Sequence, residues 1–127
     1  MRIRLENLTK RYQEVTAVDH LNLEIEDGDL VCLLGPSGCG KSTTLSIIAG
    51  LEQATEGTIY FDEENVGGLE AEDRDIGMVF QDYALYPHMT VQENIAFPLK
   101  MQGWKKKDRI EKVKEAAKML QIEEYLK

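Results

Sequence analysis

The sequence predicts an α/β domain, and three observations carry that expectation. Residues Leu30 to Leu34 form a short, unbroken apolar run, the pattern of a strand buried on both faces. A glycine-rich turn follows from Gly35 to Gly40, and after it Leu45, Ile48 and Ala49 recur at helical spacing, so strand, loop and helix succeed one another without a gap. At 127 residues, with 43% hydrophobic and 30% charged side chains, the chain has the size of one domain and the composition of a folded body. Neither a two-domain enzyme nor a disordered chain is expected.

Each element follows from its local pattern. Ile3 and Leu5 alternate with charge between Arg2 and Leu8, and Leu21 to Glu26 alternates without a fault, so both read as half-buried strands. Asp27-Gly28 is the turn before the run 30–34, in which Cys32 is expected to be core. The helix beginning at Lys41 extends to Ala49 and is closed by Gly50. Thr58 to Phe61 reads as a strand, 62–75 as an acidic loop, and Ile76 to Phe80 as another short apolar strand. Thr90 is a candidate N-cap with Glu93 as its capping-box partner, for a helix that Pro98 interrupts after Phe97. Asp108 is the candidate cap of a last helix that aligns Ile110, Val113, Ala117 and Leu120 on one face.

Charge narrows the function classes. The net charge is −8; residues 1–99 carry six basic and eighteen acidic side chains, and residues 100–127 carry nine and five. A nucleic-acid-binding domain shows the opposite sign. No apolar run approaches the roughly 20 residues of a membrane-spanning helix, and none follows Met1 as a signal segment would. The expectation is a cytoplasmic chain in which Cys32 and Cys39 remain thiols. His20 and His88 are far apart and lack further ligands at metal spacing, and Lys105 to Lys107 read as the solvated start of a helix.

The strongest chemical signal is Gly35-Pro36-Ser37-Gly38-Cys39-Gly40-Lys41-Ser42, which satisfies G-x-x-x-x-G-K-[ST] between the expected strand and helix. Glycines let successive N–H groups turn inward on a phosphate, and the helix start adds partial positive charge. Lys41 supplies a full charge to the β and γ phosphates, and Ser42 a hydroxyl to Mg²⁺. From average residue usage, the four fixed positions coincide by chance in on the order of a few per thousand chains of this length. Cys39 lies near a helix N-terminus, where thiolates are favoured, but a small loop residue is the plainer reading.

The segments LLGPSGCGKSTTLSIIAGLEQATEGTIYFD and DIGMVFQDYALYPHMTVQENIAFPL resemble, in content and order, the ATP-binding subunits of ABC transporters, most closely those of bacterial sugar importers of the maltose type. The resemblance covers nearly the whole chain. It implies a P-loop NTPase core with an N-terminal antiparallel β part over residues 1–82, then the start of a helical subdomain over 83–127. ATP and Mg²⁺ are the implied ligands. Tyr12 would stack on adenine, Gly35, Ser37, Gly38, Cys39, Gly40, Lys41, Ser42 and Thr43 would surround the phosphates, and the Gln81 amide oxygen would reach Mg²⁺ and the attacking water beside Ser42. Tyr83, Leu85, Tyr86 and Met89 would help form the groove that receives a helix of the membrane-embedded permease. The full-length parent is expected to be a homodimeric ATPase, peripheral on the inner face of the cell membrane and powering solute import.

The departures from the family are omissions. The family's signature sequence, Walker B aspartate, adjacent glutamate and switch histidine would follow Lys127, and none lies within these residues. In the family the strand 30–34 is flanked by strands from that later part, which implies an unpaired edge, exposed apolar area and marginal stability here. Binding of nucleotide with little hydrolysis is the expectation. Two other readings stand beside it: a nucleotide-sensing module that hydrolyses nothing, and a small metabolite kinase, which Tyr12 ahead of the loop and the lack of an arginine-rich lid oppose.

Overall fold

The computed structural model describes residues 1–127, which divide into two compact units, Met1–Met78 and Val79–Lys127. The first holds a four-stranded antiparallel sheet of β1 (Ile3–Tyr12), β2 (Val15–Ile25), β3 (Glu56–Phe61) and β4 (Glu64–Asn65), in the order β2-β1-β3-β4. Helix α1 (Lys41–Ile48) lies between β2 and β3 in the chain. Ile3, Leu5 and Leu8 of β1 pair with Ile25, Leu23 and Leu21 of β2. The two strands run longer than their alternating stretches because the hairpin closes at Tyr12 and Val15.

The inward face of β1 is set by a bulge. Strict alternation would place Leu5 and Leu8 on opposite faces, yet both are buried. The register shifts between them, where Asn7 takes φ +50° and its amide donates to the Asn22 side chain at 2.9 Å. Asparagine tolerates this left-handed conformation better than most residues. Leu5 and Leu8 then join Ile47 of α1, Ile59 and Phe61 of β3, and Val66 in one core, against which Ile3, Leu21, Leu23 and Ile48 pack.

Several expectations are corrected. Residues 30–34 and 76–80 belong to no strand, and Leu30 and Leu34 are 100% and 88% exposed. Cys32 is exposed, not core. A strand is a ladder and needs neighbours; here the four strands pair only among themselves, so these apolar runs stay extended or bent without partners. Asp108 does not cap the last helix, whose N-cap is Lys105, three residues earlier, which places Asp108 in the first turn, where a carboxylate still meets the positive end of the dipole.

A further correction lies in the second unit, which consists of α2 (Val91–Met101), α3 (Lys106–Leu120) and a short 3₁₀ turn, Glu123–Tyr125. Helix α2 continues through Pro98 to Met101. Proline removes one helical N–H, but the last turn closes without it, as the amides of Gln102, Gly103 and Trp104 bond the carbonyls of Pro98, Lys100 and Leu99. The Thr90 capping box is present in full, with the Thr90 amide 2.8 Å from the Glu93 carboxylate and the Glu93 amide 3.2 Å from the Thr90 hydroxyl. On α3, Val113 and Ala117 are buried, whereas Leu120 is 63% exposed.

Candidate functional site

The loop 35–42 is shaped by two left-handed glycines, Gly38 at φ +80° and Gly40 at φ +91°. Gly40 is also the N-cap of α1, and a Cβ there would overlap the carbonyl oxygen of Ala17 on β2. Only glycine lets the loop lie this close to the hairpin. Gly38 has open space where its Cβ would stand, so its requirement is conformational alone.

Most backbone donors of this loop have no partner within the protein. The Cys39 amide bonds the Pro36 carbonyl at 3.3 Å and the Thr44 amide bonds the Gly40 carbonyl at 2.9 Å. The amides of Ser37, Gly38, Gly40, Lys41, Ser42 and Thr43 make no hydrogen bond within the protein. Helix α1 has no acidic residue in its first turn and no side-chain cap, so neither device neutralises its positive end. The Lys41 ammonium folds over the loop and donates to the carbonyls of Gly35 and Pro36, each at 2.7 Å, with the Cys39 sulfur at 3.3 Å. The Ser42 hydroxyl is exposed and engages no protein group. Free amides, an uncapped helix start and one ammonium can together take an oxyanion, and a free hydroxyl beside them can ligate a hard cation.

The far end of α1 is held as firmly. Gly50 closes it in a Schellman arrangement, with the Leu51 amide on the Ser46 carbonyl at 2.9 Å and the Gly50 amide on that of Ile47 at 3.2 Å. Arg74, only 3% exposed, donates to the carbonyls of Ile47 at 2.7 Å, Ile48 at 3.0 Å and Leu69 at 3.0 Å. Burial lowers its pKa from the ordinary arginine value, with the Glu70 charge opposing. The sequence offers no pattern that points to Arg74, since a buried arginine without a carboxylate has no local signature.

Tyr12 ends β1 and is 44% exposed. Its hydroxyl donates to Glu52 at 3.1 Å, and the Lys10 ammonium sits 4.8 Å from the centre of its ring. Tyr12, the hairpin and the loop 35–43 all belong to the first unit, whereas Gln81 stands in an exposed turn of the second. In that unit Asn94 of α2 pins the preceding segment. It accepts from the Tyr86 amide at 2.9 Å and donates to the carbonyls of Tyr86, Met89 and Thr90 at 3.0 to 3.2 Å. The Tyr86 ring packs on Phe97 at 4.7 Å, Met89 is half-buried, and Tyr83 and Leu85 remain about 70% exposed. A cleft of about 510 Å³ between α2 and α3 is lined by Met89, Ala96, Phe97 and Ile110 together with Lys100 and Arg109.

The loop of free amides leading into a helix beside a β-hairpin defines the class, an α/β protein of the phosphate-loop type. The ABC transporter family matches residues 18–127. The chain belongs to that family. It is 51% identical over 125 residues to the oligosaccharides import ATP-binding protein MsmX of Bacillus subtilis (strain 168), covering 98% of this chain and 34% of that one. It is 50% identical over 125 residues to the sn-glycerol-3-phosphate import ATP-binding protein UgpC of Bartonella quintana (strain Toulouse), covering 98% and 36%. The solved dimeric structure of MJ0796, a bacterial ABC transporter cassette, superposes with a TM-score of 0.86 at 35% identity, over 98% of this chain and 60% of that one. Another structure of that cassette, bound to ADP and Pi, gives a TM-score of 0.84 at 34% identity. The chain thus spans about a third of the length of the curated relatives it matches.

Proposed function

We propose that this chain is the ATP-binding part of an ABC importer ATPase, and that the loop 35–43 holds the nucleotide phosphates. The observation that carries the reading is the set of unpartnered amides at residues 37, 38 and 40–43 under a single lysine. Gly35, Ser37, Gly38, Cys39, Gly40 and Thr43 shape and line the loop, Lys41 places its charge on the β and γ phosphates, and Tyr12 stacks on the base. Ser42 and Gln81 would supply oxygen ligands to Mg²⁺, which neutralises phosphate charge when bound. Hydrolysis needs an oriented water and a base besides these groups, so the chain binds ATP or ADP with little turnover. Residues 1–82 form the nucleotide-binding core with its β part, and 83–127 begin the helical subdomain.

Partners follow from the same reading. The exposed apolar side chains Tyr83 and Leu85, beside the pinned Tyr86 and Met89, meet a helix of the membrane-embedded permease. The complete protein works as a homodimer on the cytoplasmic face of the membrane; no helix of this chain is long and apolar enough to cross one. The transported solute is not set by these residues. Relatives of nearly equal identity carry names for glycerol 3-phosphate, oligosaccharides, osmoprotective compounds and trehalose or maltose, which supports selection by other subunits; a sugar is the proposed class.

Titration with ATP and magnesium tests the core of this. Lys41→Ala is expected to weaken binding at least about tenfold, a loss of roughly 1.4 kcal/mol, with the circular dichroism spectrum retained. Equal affinities of the two proteins would remove the phosphate assignment.

A further inference from the structure

Two side chains, Lys10 and Glu52, converge on the ring of Tyr12. The Lys10 ammonium lies over one face, 4.8 Å from the centroid, and donates to the Glu52 carboxylate at 2.6 Å and the Gln53 carbonyl at 2.8 Å. The other Glu52 oxygen accepts from the Tyr12 hydroxyl at 3.1 Å. Glu52 itself is held in the turn that ends α1, its amide on the Ser46 carbonyl at 3.2 Å. The next residues return to β1, as the Thr55 amide bonds the Thr9 carbonyl at 2.8 Å and the Thr55 hydroxyl accepts from the Arg11 amide at 3.0 Å. The Lys10 side chain is only 13% exposed, so its charge is committed to this cluster and is not free for phosphate.

We propose that Lys10 and Glu52 are positioning residues for the nucleotide base: they lock the Tyr12 ring so that it presents a single open face for stacking. The inference rests on the reading of Tyr12 as the adenine platform and adds to it the device that orders the platform in advance. An unrestrained surface tyrosine loses rotamer freedom when a base lands on it, and holding the ring beforehand removes that cost from the binding step. An ammonium on one face leaves the opposite face for the base. One anchor tethers the hydroxyl at the ring's edge and the other covers one face. Glu52 ties them to the helix whose other end carries the phosphate loop. The hydrogen bonds from Lys10 and then Tyr12 hold the Glu52 pKa below the ordinary glutamate value, so the carboxylate stays charged throughout neutral pH.

The test separates base from phosphate. Affinities of the chain for ATP and for inorganic tripolyphosphate are measured for the parent sequence and for Tyr12→Ala, Tyr12→Phe, Glu52→Ala and Lys10→Ala. Tyr12→Phe, Glu52→Ala and Lys10→Ala are each expected to weaken ATP about threefold or more while leaving tripolyphosphate unchanged. The double variant Tyr12→Phe with Glu52→Ala is expected to be no weaker than Glu52→Ala alone, because both break one bond. If Tyr12→Ala leaves ATP affinity unchanged, the base-stacking reading itself falls. If Tyr12→Ala weakens ATP but Glu52→Ala and Lys10→Ala do not, the lock alone is overturned. If tripolyphosphate affinity falls in parallel with ATP, Glu52 acts through the helix and the proposal is likewise overturned.

Discussion

At the scale of single residues, the two left-handed glycines of the loop separate strain from collision. Gly38→Ala meets no neighbour, so its cost is the left-handed backbone alone, about 1–2 kcal/mol. Gly40→Ala adds an overlap with the Ala17 carbonyl and must push the loop off the hairpin. Urea unfolding is expected to show the smaller loss for Gly38→Ala and a clearly larger one for Gly40→Ala; similar losses would contradict the close approach. Arg74→Met leaves the carbonyls of Ile47, Ile48 and Leu69 without their charged donor, and a loss of about 2–3 kcal/mol is expected in the same measurement. The shape of the loop 35–42 was legible in the sequence because its determinants are local: eight consecutive residues contain the turn, the charge and the helix start. Arg74 and the Lys10–Glu52 pair were not, since Arg74 reaches Ile47 and Lys10 reaches Glu52 only through the fold.

Among the elements, legibility followed how far each depends on its neighbours. The Thr90 capping box closes within four residues and could be read directly. Thr90→Ala should destabilise α2 by about 1 kcal/mol, seen as lost helical signal on thermal melting. The Thr90 amide, then its hydroxyl, hold the Glu93 pKa below the ordinary 4.5. A depressed carboxylate contributes its stability fully above the ordinary value and loses it as pH falls through the lowered one. The cap should therefore weaken below pH 4.5, and Glu93→Gln should remove that pH dependence while keeping the box. Strands β1 and β2 were visible by alternation, but the bulge at Asn7 was not, because one extra residue leaves no mark on composition. The run 30–34 carries the pattern of a central strand without the flanking strands such a pattern serves.

For the molecule as a whole, those apolar runs are expected to govern solution behaviour. Leu30 and Leu34 in the first unit, and Val79 in the second, are more than 80% exposed on unpaired backbone, a template for pairing with other chains. The chain is expected to self-associate with rising concentration, as read by light scattering. Leu30→Lys with Leu34→Lys should reduce it with little change in unfolding midpoint, because neither side chain contributes to the core. Scattering unaffected by the double substitution would place the association elsewhere.

The posture of Lys41 also determines which solutes can compete for its loop. Its ammonium already donates to two carbonyls, so a newcomer must replace both contacts at once to be worth the exchange. A spherical halide offers no such directional pair, whereas a tetrahedral oxyanion does. Sulfate and inorganic phosphate should therefore antagonise nucleotide at concentrations where chloride is a spectator, and buffer choice becomes part of any affinity measured on this protein.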